Sequence, residues 1–378
     1  AWVIALDKYG TMSLKEVLAP AIELAEKGFP AADEFCATIK RWGERLELFE
    51  SSMKLFFKED GSPYKPGDIF INKDLAHSMK RLVEAEQKAL LEGKNRSAAL
   101  KAARDRFYKG DIAKEFVEFS KAHGGLFTEK DLADYLAKIE EPVHTNYRGY
   151  EIYKNASNNQ GPAELFALNI IEGFDIASMG HNSPESIHVM AEAINLAMAD
   201  REKYLGDMDF VDIPFKGLLS KDYAAERRKL INPKKTLKEY PYGDPYKHEA
   251  SAGFLKNNVV SVGEWWSSVS ATSHASAADE NGYVVACTPS NHFPMGTGAV
   301  VEPLGFILTS RGSYFFLDPE HANALMPGKR PRNTITPSMA LKDGKPFMAY
   351  GTPMGDGQCQ SLSQLLINIV DFNMNIQE

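Results

Sequence analysis

The residues best able to do covalent chemistry lie in one short stretch, SATSHASAADENG, residues 270–282. Thr272 and Ser273 become nucleophiles only when a neighbouring group takes their proton. His274 is the nearest base, but it adjoins Ser273 in the chain. Neighbours on a strand point to opposite faces, so Ser273 and His274 do not make a nucleophile–base pair. The stretch reads either as a polar strand entering the Asn281-Gly282 turn or as a nucleophile whose base lies elsewhere.

A second stretch, GTPMGDGQ at 351–358, places three glycines within seven residues just before a helical pattern. Backbone N–H groups at such a place can converge on an anion or an oxyanion. The plainer reading is a strand-to-helix turn that needs glycine. The sequence contains no GxxxxGK[ST], no GxSxG and no HExxH, which leaves no motif for a phosphate loop, a hydrolase elbow or a zinc protease. The three cysteines, Cys36, Cys287 and Cys359, are far apart, and the nine histidines are dispersed. That spacing excludes a disulfide scaffold and a thiolate zinc site. No metal or cofactor is expected. His188 reads as a partly buried or surface histidine.

The 378 residues are 44% hydrophobic and 25% charged, enough to bury a substantial core. The net charge of −8 gives no electrostatic footprint for nucleic acid, and the clusters ERRK and PKK read as solvated. No apolar run approaches the ~20 residues of a membrane-spanning helix. The opening AWVIALDKYG has no initiator Met and reads as an element already under way; DFNMNIQE ends as abruptly. The expectation is a segment of a longer chain, which leaves the compartment unread.

The elements that must position these residues change character along the chain. SLKEVLAPAIELAEKG carries a capping box, Ser13 with Glu16, and apolar residues at helical spacing. KDLAHSMKRLVEAEQKALLEG, NRSAALKAARDRFYKG and TEKDLADYLAKI are further helices. EPVHTNYRGYEIYKN reads as two short strands around Arg148-Gly149, and GPAELFALNIIEGFD returns to helix. SPESIHVMAEAINLAMADREKYLGD is the strongest helix, capped by Ser183, with an apolar face at Ile187, Met190, Ala191, Ile194 and Met198; Asp200 and Glu202 read as exposed charges. Residues 233–271 read as an irregular exposed loop. Hairpins follow, turning at Asn281-Gly282 and Asp343-Gly344, and a last helix at QSLSQLLINIVDF. Helices, then antiparallel strands, then a helix point to a layered α+β fold.

Taken together, several segments resemble the γ-glutamyltransferase (glutathione hydrolase) family of N-terminal nucleophile hydrolases. TSHASAADENG resembles the start of that family's small subunit. ALDKYGTMSLKEVLAPAIELAEKGF, YRGYEIY, AINLAMADREKYLGDMDFVDIP and LLSKDYAAERRKLI resemble its large subunit, and GTGAVVEPLGFILTSRG, MPGKRP and GTPMGDGQ continue the match. The resemblance implies an αββα sandwich of two antiparallel sheets between helical layers, and a precursor that cuts itself at Ala271–Thr272. Residues 1–271 would be the large-subunit portion and 272–378 the small-subunit portion of one interwoven domain, associated after cleavage. It implies that the freed α-amino group of Thr272, with an ordinary pKa of roughly 7.7–8, is the base the sequence seemed to lack.

The resemblance also implies oxyanion donors at the N–H groups of Met354 and Gly355, where the family usually has Gly-Gly. A methionine is strained there if the position needs φ > 0. Thr288 and Ser290 are the nearest matches to the hydroxyl that steadies the nucleophile. Asn291 matches a substrate-contacting asparagine, and the family's serine pair falls at Asn333 and Thr334. Tyr314 stands where γ-glutamyl enzymes carry an acid for the substrate's ammonium, with Arg311 and Ser313 beside it. The implied substrates are γ-glutamyl amides such as glutathione. The alternatives are anionic acyl amides without an α-amino group, as for acylase relatives, or a non-catalytic relative. The family compartment is periplasmic or secreted, or cytoplasmic for acylase-like relatives.

Overall fold

A computed structural model describes residues 1–156, 158–249 and 272–377. The chain forms two compact units, Ala1–Ile139 with Pro294–Ser310, and Glu140–Phe293 with Arg311–Glu378. The first is mainly helical, with α1 (Leu14–Lys27), α2 (Lys73–Leu91), α3 (Arg96–Lys109) and α4 (Asp111–Ala122). The Ser13–Glu16 capping box forms as the sequence predicts. The buried Glu86 carboxylate of α2 adds to it by accepting the N–H groups of Leu14 and Lys15 at 2.8 and 3.1 Å. A negative group there also suits the positive end of the helix dipole.

The second unit holds every residue singled out for chemistry. Its strands are β1 (Val143–Tyr147), β2 (Tyr150–Lys154), β3 (Ala275–Ala278), β4 (Val284–Cys287), β5 (Ser338–Lys342) and β6 (Lys345–Tyr350). Four of them make an antiparallel sheet in the order β6-β5-β2-β1, and β3 and β4 make a separate hairpin in contact with β6. Arg148-Gly149 and Asp343-Gly344 turn the two sheet hairpins, each with both residues at positive φ, the geometry that matches strand twist in two-residue turns. The helices are α5 (Gly161–Ile171), α6 (Pro184–Tyr204), α7 (Lys221–Arg228) and α8 (Gly357–Val370). Every residue of α5 is buried; it packs on β1 and β2 and touches α6, α7 and α8. A helix apolar nearly all round belongs at such a centre. This is the α+β class the sequence implies, with antiparallel sheets and helical layers.

Three expectations are corrected. Met190 and Met198 of the expected apolar face of α6 are buried and Ile194 is half-buried, but Ile187 and Ala191 are exposed, and the inward face also takes in Val189, Ala193, Leu196, Ala197 and Asp200. Asp200, Arg201 and Glu202 are all buried, because each charge meets a partner that hydropathy does not reveal. Likewise Arg227 and Arg228 of ERRK are not solvated. Arg227 donates to Asp200 and to the carbonyl of Pro241. Arg228 donates to the carbonyls of Asn169 and Ile170 at the end of α5, groups the helix itself leaves unpaired. The 233–249 stretch is irregular as expected, but its second half is held down. Gly243 donates to Asp200 at 2.9 Å, and its carbonyl accepts from the Tyr204 hydroxyl at 2.7 Å. The remainder of the expected loop, 250–271, lies outside the described residues.

Lys154 of β2 and Glu164 of α5 form a fully buried ion pair. Lys154 also donates to the Ser338 hydroxyl and, at 3.2 Å, to Thr336; Tyr350 donates to Glu164 at 3.0 Å. Burial pushes the Glu164 carboxyl up and the Lys154 ammonium down, each opposed by the partner's charge. Removing one partner strands the other charge in the core. Lys154→Met is expected to lower unfolding stability by about 3 kcal/mol in urea titrations. The double change Lys154→Met/Glu164→Leu should recover at least half of that loss; no recovery would show that the pair's charge is not what the core depends on.

Candidate active site

The β3–β4 hairpin fixes Thr272 by register. Ala275 pairs with Cys287 and Ala278 with Val284. Carried three residues further, the same register sets Thr272 opposite Ser290, where a β-bridge forms. The Ser273 N–H donates to the Pro289 carbonyl at 3.0 Å. Because strand side chains alternate, Thr272, His274 and Ser276 share one face and Ser273 lies on the other. The shared face is a polar ladder. Thr272 Oγ1 lies 2.9 Å from Ser290 Oγ, His274 Nδ1 lies 3.0 Å from Thr288 Oγ1, and His274 Nε2 lies 2.7 Å from Ser276 Oγ. Of the two hydroxyls matched to the nucleophile, Ser290 meets Thr272 and Thr288 meets His274. The Thr-x-His-x-Ser alternation was the signal for this ladder, and it lay in plain view in the sequence. Ala271, on the other side of the expected cleavage point, lies outside the described residues.

Gly351 backs directly onto the His274 ring; a Cβ there would sit 2.2 Å from Nδ1. Downstream, Met354 and Gly355 have φ of +98° and +53°. The first is a conformation a side chain resists, and Met354 holds it with its side chain half exposed. The carbonyls of Met354 and Gly355 accept from Gly357 and Gln358 at the start of α8, at 2.9 and 3.2 Å. Among the described residues no acceptor takes the N–H of Met354 or of Gly355. The turn therefore presents two donors, which is what stabilising a developing oxyanion requires.

Buried polar groups hold this turn from behind. Gln160, at the N-terminus of α5, donates from Nε2 to the carbonyls of Gly355 (2.8 Å) and Thr334 (2.7 Å). Arg201 donates to Gln160 Oε1 and Asp356 Oδ1, both at 2.6 Å, and to Glu202 at 3.0 Å. Arg332 donates to both oxygens of Glu202. Burial opposes ionisation of Glu202, but Arg332, His321 and Arg201 outweigh it and hold the carboxyl well below its usual range. Asp356 occupies the N-cap position of α8 without capping it, since its carboxylate is taken by Arg201. None of these groups stood out in the sequence. Of them, only Glu202 carries a sequence expectation, that of an exposed charge.

The residues matched to substrate binding gather around Thr334. Its hydroxyl lies 3.3 Å from both Arg311 Nη1 and Tyr314 Oη, and Arg311 lies over the Tyr314 ring at 5.6 Å. Burial pulls the Arg311 pKa down and pushes that of Tyr314 up, yet a guanidinium remains charged at any ordinary pH. Asn333 turns instead to the 158–160 segment, donating to the Asn158 carbonyl at 2.9 Å. Asn291 follows Ser290 and is half-buried. His292, which no sequence motif marks, joins the two halves of the cluster. Its N–H donates to Ser290 Oγ at 3.2 Å, and its ring lies 4.1 Å from that of Tyr314 and within 3.3 Å of Ser313 Oγ. Its φ of +75° is uncommon for a residue with a side chain. Contacts thus run unbroken from Thr272 through Ser290, His292, Tyr314 and Thr334 to Gln160 and Gly355.

Comparison with known proteins adds an independent line. The model of the family described as Gamma-glutamyltranspeptidase matches residues 1–378. The glutathione hydrolase proenzyme of Bacillus subtilis (strain 168) is 35% identical over 375 residues, spanning 99% of this chain and 60% of its own length. The acylase ACY 1 proenzyme of Pseudomonas sp. (strain SE83) is 32% identical over 378 residues, spanning 100% of this chain and 61% of its own. The crystal structure of cephalosporin acylase from Bacillus halodurans matches with a TM-score of 0.80 at 29% identity, over 99% of this chain and 62% of that one. The chain therefore spans about 60% of the length of the curated relatives it matches.

Two outcomes follow from the local geometry. Met354→Gly relieves the strained φ at a smaller entropic cost and is expected to stabilise the fold by about 1 kcal/mol. The urea midpoint should rise at constant slope; a lower midpoint would contradict the strain. His274 is held below its ordinary pKa by burial first and by the Lys154 charge second. The unfolded chain therefore takes up the proton before the folded one does. His274's contribution to stability is complete above a pH of about 6.5 and is lost as pH falls below that value. His274→Gln should flatten the fall in melting temperature between about pH 6.5 and 5; an unchanged slope would place the titration elsewhere.

Proposed function

The chain belongs to the gamma-glutamyltranspeptidase family, and we propose that the whole protein is an autoprocessing amide hydrolase and acyltransferase with Thr272 as its nucleophile. The observation that carries this reading is the 2.9 Å contact between Thr272 Oγ1 and Ser290 Oγ at the head of an in-register hairpin. Cleavage of the 271–272 bond gives Thr272 a free α-amine, and an amine of roughly pKa 7.7–8 accepts a proton near neutrality where an amide nitrogen does not. The amine takes the Oγ1 proton, and Oγ1 attacks the substrate carbonyl. The tetrahedral oxyanion is met by the N–H groups of Met354 and Gly355. Collapse releases the amine leaving group with the proton and leaves an acyl ester on Thr272. Water or an acceptor amine then frees the acyl group. Residues 1–271 and 272–378 would belong to separate but associated subunits after cleavage.

The acyl end is read from Arg311, Tyr314 and Thr334. A half-buried guanidinium beside two hydroxyls suits a carboxylate, which both a γ-glutamyl and a glutaryl group carry. They differ in the α-ammonium. Asp356, whose charge reaches Tyr314, is already engaged by Arg201. That observation favours the second reading, an anionic acyl group without an α-amine.

Intact-mass measurement of the full-length protein after folding is expected to show two chains, one of them beginning at Thr272, and Thr272→Ala to leave one chain. A folded wild-type protein that stays uncut would sink the mechanism. With the cleaved protein, a glutaryl anilide is expected to turn over with higher kcat/KM than the γ-glutamyl anilide. The reverse order would restore the ammonium-binding reading.

A further inference from the structure

Gln160 joins α5 to both halves of the site. Resting on the hydrolase reading above, we propose that Gln160 is a positioning residue: its carboxamide, oriented by Arg201, sets the Met354–Gly355 turn and so the oxyanion donors. The side chain is fully buried. An arginine only donates, so its 2.6 Å contact identifies the Gln160 oxygen and leaves Nε2 as the donor. Both Nε2 hydrogens are then used, one on the Gly355 carbonyl at 2.8 Å and one on the Thr334 carbonyl at 2.7 Å. The backbone of Gln160 is fixed as well, its N–H on the Asn333 carbonyl at 3.0 Å and its carbonyl receiving Ala163 N–H at 2.9 Å.

The constraint matters because of where it acts. Two consecutive positive φ values, one on a methionine, persist only when the surroundings over-determine them. On the carbonyl side of Gly355 that determination comes from Gln160. At the next residue it comes from Asp356 on Arg201. The same amide fixes Thr334, whose hydroxyl meets Arg311 and Tyr314. One side chain therefore spaces the oxyanion turn from the acyl-binding cluster without itself meeting the reacting atoms.

The test uses full-length protein with Gln160→Met, which removes all three bonds, and Gln160→Glu, which keeps an acceptor for Arg201 but loses both donors. Cleaved protein is assayed on glutaryl and γ-glutamyl p-nitroanilides, and amide hydrogen exchange is followed over residues 354–358. Both variants are expected to lose about 10²-fold in kcat, the scale of a displaced oxyanion donor. The fall in kcat should exceed any rise in KM, and exchange should accelerate at 354–358 ahead of the rest of the fold. A kcat within about threefold of wild type in either folded variant would overturn the proposal while leaving the hydrolase reading intact. A kcat loss that merely follows a uniform rise in exchange across the protein would overturn it too. If the wild-type protein is itself uncut and inactive, the hydrolase reading fails. Exchange at 354–358 then decides the positioning claim alone, faster exchange supporting it and unchanged exchange ending it.

Discussion

The guanidinium of Arg201 is almost completely buried, and the arrangement of the site depends on how that charge is met. A guanidinium cannot shed its proton at ordinary pH, so an unpaired one at this depth would cost several kcal/mol. It is met by Glu202 beside it on α6, by Asp356 at the start of α8, and by the Gln160 oxygen at the start of α5. Three segments distant in sequence are thus drawn to one point. Asp356 is consequently spent on an ion pair rather than on capping α8, and the turn before it carries the two left-handed residues. Arg332 completes the charge balance on Glu202 and begins the run that delivers Thr334, Thr336 and Ser338 to buried partners.

The hairpin imposes the second constraint. Register alone sets Thr272 against Ser290 and His274 against Thr288, because a slip of one residue would turn the whole polar ladder to the other face. Gly351 is required where the His274 ring lies against the backbone, three residues before the Met354–Gly355 turn. On the proposed reading, the nucleophile would come from the head of β3 and the oxyanion donors from the turn beyond β6, while the acyl-binding side chains would come from a third segment stacked on His292.

Much of this was legible in the sequence. The hairpins were marked by Gly149, Gly282 and Gly344, each at positive φ, the conformation their turns need and glycine adopts without strain. The helices were marked by caps such as Ser13 and Ser183. The strain at Met354 was foreseeable once its position was matched to a glycine. What stayed hidden was the buried polar interior. Asp200, Glu202 and the arginines of ERRK read as surface charge because hydropathy records a residue's own solvation and not its partner's. Gln160 had no signal, since a polar residue before a helix is ordinary. His292 is revealed only by a backbone conformation that its residue type does not announce.

Catalysis by Thr272 comes down to a covalent bond at one atom, and that bond can be trapped. Cleaved full-length protein is mixed with a glutaryl anilide, quenched in acid within a turnover, digested and sequenced by tandem mass spectrometry. The account predicts a glutaryl ester on the side-chain oxygen of an N-terminal Thr272. Turnover with the acyl group on any other residue, or by protein in which the chain before Thr272 is still joined, would contradict it.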